Sequence, residues 1–220
     1  MELLQGLSSR RSVRGFKPTP VPEQTLRAIL QAAMRSPSYT NTQPWEVAVV
    51  SGSKRDALSK ILHDLANAGT PSSADVPAPT QWPQALSSRA AEHSARRFRV
   101  LGIERDDAHG RNELRLQNYR FFGAPCVIFL FMDSTLGAWS TFDLGLFAQT
   151  LALAAHGLGL GTCLQASVTH YPDAVRGFLE LPPNKKLMLG ISLGYPDPAA
   201  PINRYESARA DLDEVVKWYS

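Results

Sequence analysis

Four short runs of this 220-residue sequence carry side chains suited to chemistry. The first holds Arg10, Arg11, Ser12 and Arg14 within five positions. Guanidinium forks match phosphate oxygens bidentately, and a hydroxyl adds a neutral donor. The run can therefore grip a phosphate monoester, or it can simply be a solvated basic loop. The second, residues 36–45, reads SPSYTNTQPW. The side-chain amides of Asn41 and Gln43 offer donor and acceptor edges that read the rim of a heterocycle, while Pro37 and Pro44 stiffen the loop. A capped turn, with Ser38 and Asn41 satisfying helix-end groups, is the competing reading. The third, residues 156–166, reads HGLGLGTCLQA. A dinucleotide fingerprint follows a strand and opens a helix, whereas these glycines follow a helix and lead into a strand, which excludes a Rossmann site. They do let backbone approach a flat ligand closely. The fourth lies in the tail: Asn203, Arg204, Ser207 and Arg209. Arg209 supplies either a further phosphate contact or an exposed cation.

Other chemistries find no support. There is no Gly-x-Ser-x-Gly elbow. The five histidines (His63, His93, His109, His156 and His170) show no metal-ligand spacing, and His156 falls at a helix end. Cys126 and Cys163 lie in apolar segments without a CxxC spacing and read as buried small hydrophobes, which suits a reducing, cytoplasmic compartment. Net charge is only +3, and aromatic residues are not interleaved with the basic ones, so a nucleic-acid partner is not expected. No apolar run reaches membrane-span length, and the first fifteen residues lack a signal-peptide pattern.

The elements that must position these runs follow from periodicity. A short helix over 2–9 precedes the basic run. Pro22 opens a helix in which Leu26, Ile29, Leu30, Ala33 and Met34 share one face, ending near Pro37. Residues 45–50 form a strand. Ser53, with Asp56 three residues on, is expected to cap a helix lined by Leu58, Ile61, Leu62 and Leu65. Residues 69–118 read as an insertion of two charged helices about a polar turn. Residues 125–132, PCVIFLFM, form a central strand. Residues 139–156 form a helix so apolar on every side that core or subunit interface must bury it, with Gly157 as its stop. Residues 187–193 form another strand, and a Pro-rich arm over 194–220 ends apolar and must dock on its own domain or on a second copy. Helices mixed with three or four strands, without regular βαβ alternation, predict an α+β domain with a mixed or antiparallel sheet flanked by helices. With 44% hydrophobic and 20% charged residues, one domain over 1–220 accounts for the length.

In order along almost the whole chain, RRSVRGF, SPSYTNTQPWEV, FFGAP, GLGLGTC and GYPDP followed by SAR and LDEVVKW resemble the FMN-dependent nitroreductase family. The segment LGIERDDAHGR within the insertion resembles the longer, nitrobenzoate-reductase-like branch. The resemblance implies an intertwined homodimer with FMN at the subunit interface and tails wrapped around the partner. It implies that Arg10 and Ser12 contact the phosphate and ribityl chain, with Arg11 beside them, and that Arg14 lies at the pyrimidine edge. It implies that Pro37, Ser38, Tyr39 and Asn41 reach the flavin from the partner, that the backbone at Gln165 and Ala166 faces N5, and that Arg209, with Ser207 beside it, binds phosphate. Where several relatives carry Gly near N5 this chain has Gln165-Ala166-Ser167, and Tyr39 is bulkier than usual. The activity implied is ping-pong hydride transfer from NADH or NADPH to a small aromatic acceptor such as a nitroaromatic. The same fold also hosts dehalogenation, azoline dehydrogenation, flavin fragmentation and non-catalytic flavin binding. Arg89, Arg96, Arg97 and Arg99 of the insertion favour a carboxylated aromatic if they face the site, and form a solvated helix face if they do not.

Overall fold

A computed structural model describes residues 2–220. Four strands form one antiparallel sheet in the order β1-β2-β4-β3: β1 Glu46–Ser51, β2 Cys126–Asp133, β3 Gly161–Gln165 and β4 Lys185–Gly194. The alternation along β2 explains the layering. Val127, Phe129 and Phe131 point to one face, where they meet Leu58, Leu62, Leu116, Tyr119 and Val175. Cys126, Ile128, Leu130 and Met132 point to the other, against Leu26, Ile29, Leu144, Phe147 and Leu151. A strand covered on both faces has no polar side to show, which is why its sequence is unbroken apolar. The expected α+β class holds, and the sheet is antiparallel throughout.

The helices are α1 Leu3–Ser9, α2 Glu23–Ala33, α3 Gly52–Asn67, α4 Gln84–Val100, α5 Ala108–Leu116, α6 Ala138–Gly157, α7 Pro172–Phe178 and α8 Leu212–Val215. Helix α2 ends at Ala33, short of the expected stop near Pro37, and the boundaries of α3 and α6 also differ from the sequence expectation. Helix α3 begins at Gly52 with Ser51 at its N-cap, so Ser53 lies inside the helix. Helix α6 runs through Gly157 and stops at Gly159, whose φ of 77° suits only glycine. There the Leu160 N–H reaches the Ala155 carbonyl at 2.9 Å and the Gly159 N–H the His156 carbonyl at 3.0 Å, the paired bonds of a Schellman stop.

Helix α6 is also less enclosed than its composition implied. Leu144, Phe147, Ala148, Leu151 and Ala155 enter the core, but Trp139 and Phe142 on the opposite side remain 65% and 61% exposed. Leu3, Leu4 and Leu7 of α1 are exposed too. Residues 69–118 form the two expected helices, and α4 buries no residue fully. Its leading loop is pinned to the domain by Asp75, which pairs with Arg176 and accepts the Leu187 N–H at 2.8 Å beside the bulge between β2 and β4. The arm docks on its own chain only in part. Asn203 and Tyr205 are buried, whereas Trp218 and Tyr219 are 79% and 93% exposed.

Candidate functional site

Residues 10–16 leave α1 and run along the free edge of β3. The Val13 N–H donates to the Thr162 carbonyl at 2.9 Å, and Ser12 pairs with Thr162 in a parallel bridge. Gly161 permits this approach, because a Cβ there would lie 2.6 Å from Val13 Cγ2. On its other side the loop is bolted to the arm. Buried Asn203 accepts the Arg14 N–H at 2.8 Å and donates to the carbonyls of Gly15 and Asp197 at 2.8 and 2.9 Å. Gly15 must be glycine, since a Cβ would stand 2.3 Å from that of Ala200. Both chain ends are thus fixed on one edge of the sheet.

That fixation gathers cations. Burial and then the neighbouring Arg209 hold Arg10 below the usual guanidinium range. Burial and then Arg14 do the same to Arg97. Burial, then Arg97, Arg14 and Arg209, depress the His93 imidazole. Among the described residues Arg10, Arg14, Arg97 and Arg209 form no ion pair, whereas Arg11, Arg89 and Arg96 beside them pair with Glu206, Glu214 and Glu92. Guanidinium groups crowded without a counter-charge repel one another, and an anion relieves that repulsion. The Nε of Arg97 is also buried with no hydrogen-bond partner, an orphaned donor inside the cluster. Two clefts flank it. One, of about 430 Å³, is lined by Arg10, Arg11, His156, Thr162 and Asn203. The other, of about 310 Å³, is lined by Arg89, His93, Arg96, Tyr205 and Arg209 together with Glu92 and Glu214, which pair with Arg96 and Arg89.

The remaining candidate residues divide. Arg11 pairs with Glu206 of the arm at 2.8 Å. Arg209 donates to the Ser207 hydroxyl at 2.8 Å and to the carbonyls of Ser207 and Ala208, so its side chain is curled on its own turn. The Gln165 side chain is fully committed to the core, accepting from the Ser192 hydroxyl and donating to the Asn118 carbonyl at 2.9 Å. At this end of β3 Gln165 is buried, and Leu164 and Ala166 on either side of it are exposed.

Pro37, Ser38, Tyr39 and Asn41 lie elsewhere. The Tyr39 N–H donates to both oxygens of buried Asp143 on α6 at 3.1 and 3.2 Å, and its ring stacks on Trp139. Ser38 accepts the Gln43 N–H at 2.9 Å. Thr40, Asn41 and Gln43 all have positive φ, between 47° and 59°. Such left-handed geometry costs these residues about 1 kcal/mol or more each and persists only where the surroundings enforce it. At the other end of α6, His156 meets Ser9 beside the arginine loop at 2.8 Å. Asp143 and His156 are separated by roughly 20 Å of helix at 1.5 Å per residue. One chain therefore brings residues 10–14 and 207–209 together but holds loop 37–41 apart from them.

His93 and Asp143 complete the picture without any sequence signal for a site role, whereas Asn203 belongs to the tail run and Arg97 to the four insertion arginines that the sequence offers for a carboxylated aromatic. His93 and Arg97 are four apart on α4, so their shared face was readable, but nothing local told it from a solvated one. Among the described residues no group of His, Cys, Asp or Glu forms a metal cluster, and no helix is long and apolar enough to cross a membrane.

His93, His156 and His170 are all held below the ordinary imidazole range, by burial first and arginines second. The folded chain then binds fewer protons than the unfolded one near pH 6, so stability is complete above the unfolded imidazole value and falls as pH drops below it. Melting temperature should decline from pH 7 to pH 5, before carboxylates titrate. A flat profile across that interval would contradict this arrangement of charges.

A profile of the nitroreductase family matches residues 7–195. The chain is 39% identical to nitroreductase NfnB of Mycolicibacterium smegmatis over 96% of its own length and 90% of the relative's. It is 35% identical to a 4-nitrobenzoate reductase of Pseudomonas putida, covering 92% and 89% of the two chains. The crystal structure of the FMN-dependent nitroreductase NfnB from Mycobacterium smegmatis in complex with NADPH superposes with a TM-score of 0.94 at 37% identity, covering 100% of both chains.

Proposed function

The chain belongs to the nitroreductase family, and from that premise we propose that it is an FMN-dependent oxidoreductase drawing on NADH or NADPH to reduce small nitroaromatic acceptors. The observation that carries this reading is the meeting of residues 10–14 and the arm on the β3 edge through Asn203, beside clefts lined by Arg10 and by Arg209, neither of which forms an ion pair among the described residues. A phosphate monoester joined to a ring that becomes anionic on reduction is the complement of that cluster. The relatives named for reduction of nitroaromatics and the neighbour crystallised with NADPH support the substrate and the reductant.

FMN held at this site would supply two-electron redox chemistry between a nicotinamide and a small acceptor. The chain's own residues hold and tune it. Arg10 and Arg209 grip the phosphate, with the Ser12 hydroxyl as a neutral donor. Arg11 and Ser207 act at one remove, Arg11 by tethering the arm through Glu206 and Ser207 by orienting Arg209. Arg14, whose backbone Asn203 fixes, would supply the cation at the pyrimidine edge, where positive charge favours the reduced ring. The backbone at Gln165 and Ala166 would provide the N–H toward N5.

Pro37, Ser38, Tyr39 and Asn41 come from a second copy, because the two halves of the site lie at opposite ends of α6 in one chain. We read 1–220 as a single domain, with the insertion at 69–118 and the arm at 194–220, working as a homodimer through α1, α6 and the arm. The unpaired, buried Cys126 and Cys163 support a cytoplasmic setting. The test is anaerobic titration of purified protein. A yellow preparation should bleach with NADPH or NADH and recolour with 4-nitrobenzoate. Protein that retains no flavin after incubation with excess FMN and gel filtration would end this reading.

A further inference from the structure

We infer that Asp143 on α6 is a positioning residue that acts across the dimer: it shapes loop 37–41 for the flavin of the second copy and does nothing for the flavin held by its own chain. The inference rests on the FMN reading above and deepens it. Asp143 is 2% exposed. Its inward-facing neighbours on the helix, Leu144, Phe147, Ala148 and Leu151, are all apolar. Among the described residues its carboxyl group has one hydrogen-bond partner, the Tyr39 N–H, shared between the two oxygens at 3.1 and 3.2 Å. A buried carboxyl group with one donor for two oxygens is costly, so the stability of α6 alone favours an apolar residue at this position.

What Asp143 holds gives the reason for it. Tyr39 opens the turn in which Thr40, Asn41 and Gln43 have φ of 47°, 59° and 50°. Residues forced into that region relax once their surroundings let go. Trp139, one turn before Asp143 on α6, takes the Tyr39 ring at 5.6 Å between centroids and 18° between planes. The helix thus clamps the loop twice, by its backbone through Asp143 and by a ring through Trp139. The clamped loop faces away from its own chain, for Tyr39, Asn41 and Gln43 are all exposed. The chain's own arginine loop is at the far end of the helix, where Ser9 meets His156 at 2.8 Å, about 20 Å from Asp143 at 1.5 Å per residue. Backbone strain enforced on an outward loop serves a ligand outside the chain, and in the shared site that ligand is the cofactor of the second copy.

The test uses Asp143→Leu, Asp143→Asn and a double variant, Arg10→Ala with Arg209→Ala, as homodimers and as mixed dimers isolated through two different affinity tags. Flavin content after gel filtration, FMN affinity and the melting temperature of flavin-stripped protein are measured. The Asp143→Leu homodimer should bind FMN about tenfold or more weakly, because the loop then spends only a minor fraction of its time in the competent shape. Its stripped form should melt at or above wild type, whereas loss of a structural residue would lower the melting temperature. Asp143→Asn, whose amide oxygen still accepts the Tyr39 N–H, should recover most of the affinity. The mixed dimer of Asp143→Leu with the double variant decides the direction. One of its two sites combines intact arginines from the Asp143→Leu copy with an intact loop from the other, so it should retain about half the wild-type flavin at wild-type affinity, although neither parent homodimer does. A mixed dimer as poor in flavin as its parents, an Asp143→Leu homodimer with wild-type affinity, or a stripped Asp143→Leu protein that melts lower overturns this inference alone. Wild type that retains no FMN overturns it together with the FMN reading.

Discussion

Protein carrying Arg10→Ala and Arg209→Ala together is expected to purify essentially colourless. Each arginine supplies charge-assisted bonds to a phosphate, worth about 1.5–3 kcal/mol apiece, so removing both weakens FMN by roughly 3–6 kcal/mol, or about 10²–10⁴-fold. The fold should survive. Arg10 is repelled by Arg209 in the bare chain, and neither side chain is buried in either core cluster. The checking measurement is the ratio of flavin to protein absorbance after gel filtration, followed by titration with added FMN. Wild-type flavin content in the double variant would place the phosphate elsewhere and remove the reason both chain ends meet on the β3 edge.

The amino-acid pattern showed those arginines but not their meeting. Arg10, Ser12 and Arg14 are close in sequence, so their cluster is a local fact. Arg209 joins them only because Asn203 bridges Arg14, Gly15 and Asp197, a contact across nearly the full chain that no periodicity encodes. The central strand was legible because burial on both faces leaves an unbroken apolar run. Helix α6 was legible as a helix but not in its surroundings, since apolar residues on every side look alike whether they meet core or a second copy. The stop at Gly159 instead of Gly157 has a similar origin: three alternate glycines offer three candidate stops, and only the φ each must adopt separates them. Arg97 stayed hidden among four helical arginines because solvation and burial of a long cation have the same local sequence.

Trp139→Glu with Phe142→Glu should convert the protein to a monomer and, through that, strip it of FMN. Both rings project from α6 away from their own core, and Tyr39 of the neighbouring loop already stacks on Trp139. Two large aromatic groups beside each other on one helix face make an apolar patch that water alone covers poorly. Burying a large apolar side chain contributes about 1.5–3 kcal/mol, and a two-fold interface counts each residue twice, so neutralising this patch removes roughly 6–12 kcal/mol before the cost of burying four carboxylates. Sedimentation should show the change in mass directly. The flavin readout separates two architectures, because Arg10, Arg14 and Arg209 lie far along α6 and are untouched by the substitutions. If the site is shared, the monomer loses loop 37–41 from its cofactor and FMN affinity collapses with arginines intact. If the monomer instead holds FMN as tightly as wild type, the phosphate and ring sites are complete within one chain, and the strained loop at Thr40, Asn41 and Gln43 serves something else.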